Sequence, residues 1–240
     1  MDDLTYQWGA PQMPQGWRPK GYLFDMDGLL LDTERVGQQA FVMVCADLGI
    51  GESEAGRFFL SLIGGSLPGN TAKTKLWLDG RMDAADFVAA FNGHKADLMR
   101  DNVPLRPFVR EVFEALSNAG AKMAVVTSTI GVAARHELAQ ADLLKYLVTV
   151  VAGDEVTANK PDPAPYLQGA AALGLDPTDC AAFEDSDTGI RAAMGAGCRA
   201  VQIPDMRPEN TPLPELGQGV ASDLKAALTL VSPIFQTVSA

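Results

Sequence analysis

Gly21-Tyr22-Leu23-Phe24-Asp25-Met26-Asp27-Gly28 is the stretch on which the fold turns. Tyr22, Leu23 and Phe24 offer no polar face, and the run stops on two carboxylates and a glycine. A strand that is apolar on both sides must be covered on both sides, as in a parallel sheet flanked by helices. Three later runs follow the same plan. Met123-Ala124-Val125-Val126 leads into Thr127-Ser128, Val148-Thr149-Val150-Val151 leads toward Asp154, and Cys180-Ala181-Ala182-Phe183 leads into Glu184-Asp185. A fifth, Ala200-Val201-Gln202-Ile203, stops at Pro204.

Helical patterns lie between these runs. Phe108, Val109, Val112, Phe113 and Leu116 predict one helical face that ends at Gly120. Leu167, Ala170, Ala171 and Leu173 predict another, ending at Gly174. The predicted fold class is therefore α/β: a Rossmann-like parallel sheet core with helices on both faces. Sheets of this kind bind ligands beyond the carboxyl ends of their strands. Four of the five runs place acids or hydroxyls there.

Residues 32–103 break the alternation. Val36, Ala40, Val44 and Leu48 make one helical stripe before Gly49. Phe87, Val88, Phe91 and Leu98 make another after Asp83, a residue suited to cap a helix N-terminus. These stripes predict a small α-helical cap domain inserted after the first strand, with the core formed by 20–31 and 104–240. Residues 1–19 carry Trp8 and Trp17 among Gln, Pro and Gly with no period, and are expected to form a flexible tail.

Composition excludes several classes. At 47% hydrophobic and 20% charged, the 240-residue chain can bury a sizeable core. Its apolar runs fall far short of the roughly 20 residues that span a bilayer. Met1-Asp2-Asp3 opens no basic-then-apolar leader, so a cytoplasmic location is expected. Cys45, Cys180 and Cys198 are odd in number and lack CxxC spacing, which fits buried thiols in a reducing compartment. A net charge of −11 argues against nucleic acid or an anionic membrane as partner. It also means that an anionic ligand needs a local cation. His94 and His136, the two histidines, fall within helical patterns and are read as ordinary helix residues.

Taken singly, the polar residues at the strand ends have ordinary uses. Asp27-Gly28 is common turn sequence, Thr127 suits a helix cap, and Asp185-Ser186 suits another. Their order is more specific. Asp25-Met26-Asp27-Gly28 with Asp32-Thr33-Glu34, then Thr127, then Lys160-Pro161, then Glu184-Asp185-Ser186-Asp187-Thr188-Gly189-Ile190 resembles the four motifs of the haloacid dehalogenase-like superfamily. The likeness is to its beta-phosphoglucomutase-like branch with a helical cap, and it spans about 200 residues from Gly21 to the region of Pro204.

The resemblance implies a phosphatase acting through an aspartyl-phosphate. Asp25 would be the nucleophile, and Asp27 would protonate the leaving oxygen and then take a proton from water. Thr127 and the backbone N–H of Ser128 would bind phosphoryl oxygens. Lys160 would hold Asp25 and offset the negative charge. Asp25 and Asp185 would ligate a metal through their side chains and Asp27 through its carbonyl, with Glu184 behind them or as an occasional ligand. A carboxylate set favours Mg2+ as cofactor over zinc. The expected substrate is a small phosphorylated metabolite, a sugar phosphate or phosphorylated acid, and the expected state is monomer or weak dimer. In the cap loop Leu62-Ile63-Gly64-Gly65-Ser66-Leu67-Pro68, Gly64 and Gly65 would let substrate approach the backbone closely. Cap closure would hinge near Leu31-Asp32 and Val103-Pro104.

Departures from the family pattern narrow the activity. Dehalogenases proper and phosphonate-cleaving relatives lack the second carboxylate that Asp27 supplies. Mutases grip a second phosphate with basic cap residues and carry a histidine where this chain has Gly37; the cap loop has no Lys or Arg. Hydrolysis is therefore expected, with a sugar-phosphate mutase as the alternative should Lys73 and Lys75 serve as the grip. A phospho-accepting signalling receiver needs no helical insertion and phosphorylates a later Asp. A binding module that has lost catalysis would lack a motif residue, and none is missing.

Overall fold

Strand β1 (Gly21–Phe24) is buried at all four positions, as its sequence requires. The other strands are β2 (Lys122–Val126), β3 (Thr149–Val151), β4 (Cys180–Glu184), β5 (Arg199–Gln202) and β6 (Gly219–Val220). They form one sheet in the order β3-β2-β1-β4-β5-β6, parallel throughout. In this computed structural model, residues 17–63, 67–207 and 211–232 are described. Four helices follow β1: α1 (Thr33–Asp47), α2 (Glu52–Leu60), α3 (Leu67–Leu78) and α4 (Ala84–Met99). Five more alternate with the later strands: α5 (Val109–Asn118), α6 (Gly131–Gln140), α7 (Ala164–Ala172), α8 (Asp187–Gly195) and α9 (Leu224–Val231).

Alternation along β1 assigns the layers, because successive side chains of a strand point to opposite faces. Leu23 packs with Ala124, Val126 and Ala182 against Tyr166 and Ala170 of α7 and Ile190 and Ala193 of α8. Phe24 points the other way, stacking on Phe183 and meeting Phe113 of α5 at 5.0 Å. Tyr22, on the same side, shares a hydrogen bond with Ser232 just beyond α9. Helices thus cover both faces of a Rossmann-like parallel sheet.

Two helical faces differ from their sequence reading. On α7 the buried residues are Pro165, Tyr166, Gly169 and Ala170, whereas Leu167 is 44% exposed. One residue of offset turns a helix by about 100°, and the hydroxyl of Tyr166 decides the rotation by bonding an internal carboxylate. Phe108 does not join the α5 face. It sits at the N-cap with φ of 64° and is 45% exposed, while Val109, Val112, Phe113 and Leu116 are buried.

The chain divides into two compact units. One comprises the sheet and α5–α9; the other comprises Asp32–Pro104 together with Met206–Pro212. The second unit is built on Phe41 of α1, whose ring lies within 6.4 Å of those of Phe58, Phe59, Trp77, Phe87 and Phe91. Asp83 caps α4 by accepting from the N–H of Ala85. Of the expected tail, residues 1–16 lie outside the described residues. Trp17, within the expected tail, bonds to the carbonyl of Thr178, and Lys20, the first residue of the expected core, bonds to Asp179. The three cysteines are buried and unpaired, with burial pushing the Cys198 thiol up to about 12. No helix among the described residues is long and apolar enough to cross a membrane.

Candidate active site

The site begins where β1 meets β4. The N–H of Asp25 still donates to the carbonyl of Phe183, so the first residue past β1 stands beside the end of β4. Gly28, at φ of 78°, then turns the chain back, and its N–H donates to the carbonyl of Leu31. Only a residue without a Cβ adopts that conformation at little cost. The turn leaves Asp25 and Asp27 with different neighbours.

Asp25 faces inward. Lys160 donates from Nζ to Asp25 Oδ1, to the Val126 carbonyl at 2.8 Å, and pairs with Glu184 at 2.7 Å. The lysine side chain is 5% exposed and that of Glu184 is fully buried. Burial, reinforced by the charge of Glu184, holds the Asp25 carboxyl well above the usual carboxylate range, against the pull of Lys160. Burial works against the charged ammonium of Lys160, but the carboxylates of Asp25 and Glu184 overcome it and keep it protonated beyond the ordinary lysine range.

Glu184 is fixed from several sides. Its Oε1 also accepts from the Tyr166 hydroxyl at 2.6 Å, and its Oε2 accepts from Ser186 at 3.1 Å. Ser186 in turn caps α8 by accepting from the N–H of Gly189 at 3.0 Å. A methyl group added at Gly189 would lie 1.9–2.0 Å from the Glu184 carboxylate. The carboxylate therefore occupies space that any other residue there would fill, at a helix N-terminus whose dipole favours an anion.

Asp27 faces the loop after β2. Its Oδ2 accepts from the Thr129 hydroxyl at 2.7 Å and lies 3.5 Å from the Thr127 hydroxyl. Thr127 Oγ1 also accepts from the N–H of Thr129 at 3.0 Å, and the N–H of Thr127 donates to Val151. Ser128 is exposed between them. Its carbonyl is backed by Gly153, where an added Cβ would come within 2.2 Å.

Asp25, Glu184 and Asp185 each offer an oxygen within 4.8 Å of the others. Three carboxylates face one ammonium in this group, and oxygen-only donors suit a hard cation. The donor set fits Mg2+. Buried Gln202 on β5 steadies the strand end, donating to Asp187 at 2.8 Å.

Asp25, Asp27, Thr127, Ser128, Lys160, Glu184 and Asp185 all gather at the carboxyl ends of the central strands β2, β1 and β4. Gly64 and Gly65 lie outside the described residues. Thr129, Tyr166 and Gln202 were not among the residues singled out from sequence. Thr129 stands two residues beyond Thr127 in the bend after β2, and a local turn, in which its N–H donates to Thr127 Oγ1, brings its hydroxyl to Asp27. Nothing in the apolar pattern sets Tyr166 above the more apolar Leu167 beside it.

The family model for haloacid dehalogenase-like hydrolases matches residues 22–203, which contain every one of these groups. The chain belongs to that family. Among curated relatives, the hydrolase is 33% identical over 197 residues to protein CbbY of Rhodobacter capsulatus, covering 77% of this chain and 85% of the relative. It is 31% identical over 201 residues to hexitol phosphatase A of Escherichia coli, covering 81% and 87%. A crystal structure of a putative beta-phosphoglucomutase from Thermotoga maritima superposes with a TM-score of 0.72 at 27% identity, covering 91% of the hydrolase and 97% of that chain.

Proposed function

We propose that the protein is a Mg2+-dependent phosphatase that hydrolyses a small phosphomonoester through a phosphorylated Asp25. The observation that carries this reading is the grip of one buried ammonium, Lys160, on Asp25, with a second carboxylate, Asp27, two residues further along and held apart by Thr129. Such a pair divides the labour. Asp25 Oδ attacks phosphorus while Lys160 fixes its orientation and offsets the charge that gathers there. Asp27 delivers a proton to the departing ester oxygen and later removes one from the water that cleaves the acyl phosphate. Thr127 and the N–H of Ser128 bind phosphoryl oxygens. Asp25 and Asp185, with the carbonyl of Asp27, would hold the metal; when bound, Mg2+ supplies the positive charge that lets an anionic ester approach a carboxylate.

Relatives bearing the name hexitol phosphatase support a sugar or sugar-alcohol phosphate as substrate. We assign the helical unit Asp32–Pro104 the part of cap, selecting the organic group. The test is turnover of para-nitrophenyl phosphate and a panel of hexose, hexitol and carboxylic-acid phosphates, with and without a chelator. Wild-type protein should release phosphate only with Mg2+, and Asp25→Asn should release none while melting like wild type. Full activity in Asp25→Asn would refute the assignment. Interconversion of two isomeric hexose monophosphates in the presence of catalytic bisphosphohexose, with no net release of phosphate, would replace the phosphatase with a mutase.

A further inference from the structure

Among the described residues Tyr166 is the one fully buried tyrosine close to the proposed chemistry, and it makes two contacts with the same charged pair. Its hydroxyl donates to Glu184 Oε1 at 2.6 Å, and its ring lies 5.4 Å from the Lys160 ammonium. That ammonium shares the same carboxylate oxygen at 2.7 Å and reaches on to Asp25. Glu184 has no solvent to replace a lost donor, since it is 0% exposed. A buried carboxylate deprived of one of three donors will swing toward whatever positive charge remains nearby. The cation it would pull is Lys160, away from Asp25.

We infer that Tyr166 is a positioning residue for this reaction: its hydroxyl pins Glu184, Glu184 pins Lys160, and Lys160 aims the Asp25 nucleophile. The inference rests on the phosphatase reading, because it names the device that keeps that nucleophile in register. The chain Tyr166–Glu184–Lys160–Asp25 runs entirely within the α/β unit. It assigns Glu184 primarily to the lysine and leaves metal ligation to Asp25 and Asp185. Burial, then the charge of Glu184, raises the phenol well above its ordinary range, so it stays a donor at every pH of interest.

The test is a double-mutant cycle on Tyr166→Phe and Glu184→Gln, assayed with para-nitrophenyl phosphate and saturating Mg2+. Tyr166→Phe should lower kcat about 10-fold or more, the scale of one hydrogen bond to a charged group, with KM held within about twofold. In the Glu184→Gln background the same change should cost almost nothing more, because the carboxylate charge that ties the hydroxyl to Lys160 is gone. To separate the hydroxyl from packing, para-fluorophenylalanine and para-aminophenylalanine at position 166 fill the same space without and with a donor. The amino variant should outpace the fluoro variant by about fivefold or more. An active wild type whose kcat is unmoved by Tyr166→Phe would overturn the inference while sparing the phosphatase reading. Equal losses in both backgrounds, or equal rates for the two analogues, would also overturn it. An inactive wild type would instead refute the phosphatase reading itself.

Discussion

Gly189→Ala is a substitution that helix propensity recommends and this structure forbids. Gly189 is the third residue of α8, where alanine would ordinarily stabilise a helix by up to about 1 kcal/mol. The new methyl group would lie 2.0 Å from both oxygens of Glu184, whereas ordinary contact begins at 3.4 Å. The carboxylate would have to retreat by about 1.4 Å to reach that contact. Its bonds to Tyr166 and Lys160 are 2.6 and 2.7 Å long, so a movement of that size breaks at least one of them. Separating a buried ion pair costs about 3–5 kcal/mol. Set against the helix gain, the expected loss is about 2–4 kcal/mol, and Tm should fall by about 5–15 °C for a chain of this length. Turnover of para-nitrophenyl phosphate should fall about 100-fold, because Lys160 leaves Asp25. Gly189→Ser should behave no better. A Gly189→Ala protein that melts at or above the wild-type temperature with unchanged kcat would refute the claim that Glu184 is locked in place.

Three further outcomes are expected. Thr129→Val removes the 2.7 Å bond to Asp27 and should lower kcat about 10- to 100-fold with the fold intact, as measured by steady-state kinetics and circular dichroism. Gly153→Ala would set a methyl group 2.2 Å from the Ser128 carbonyl, displacing the loop Thr127–Thr129; KM for the ester should rise and Tm should drop. Cys45 and Cys180 titrate at about 11 and Cys198 at about 12, so at pH 8 at most about a thousandth of each is thiolate. Iodoacetamide at pH 8 should therefore label none of the three in the native protein within minutes and all three in guanidinium, read by mass spectrometry.

Much of this site was legible because it hangs on strand ends. A buried parallel strand announces itself as an unbroken apolar run, and Phe24, Val126 and Phe183 each hand over at once to Asp25, Thr127 and Glu184. The features that sequence left out either carry no apolar run or are decided by contacts across space. Strand β6 is two residues long and contains a glycine, so no apolar run marks it. Met206–Pro212 joins the helical unit although it follows β5, and Met206 packs on the aromatic cluster around Phe41. Periodicity on α7 allowed either Leu167 or Tyr166 to face inward, and the hydrogen bond to Glu184 chooses Tyr166. Phe108 fits the apolar pattern of α5, but its left-handed backbone places it outside the helix, where Lys225 lies over its ring.

The central claim is that Asp25 takes the phosphoryl group. Acid quenching during turnover of a saturating ester with Mg2+, followed by borohydride reduction and peptide mapping, reads this directly. The reduction converts an acyl phosphate into homoserine, and homoserine should be found at position 25, at no other acid, and not at all when the ester is omitted. Phosphate carried on a different residue, or steady hydrolysis with Asp25 unmodified at every quench time, would contradict the account.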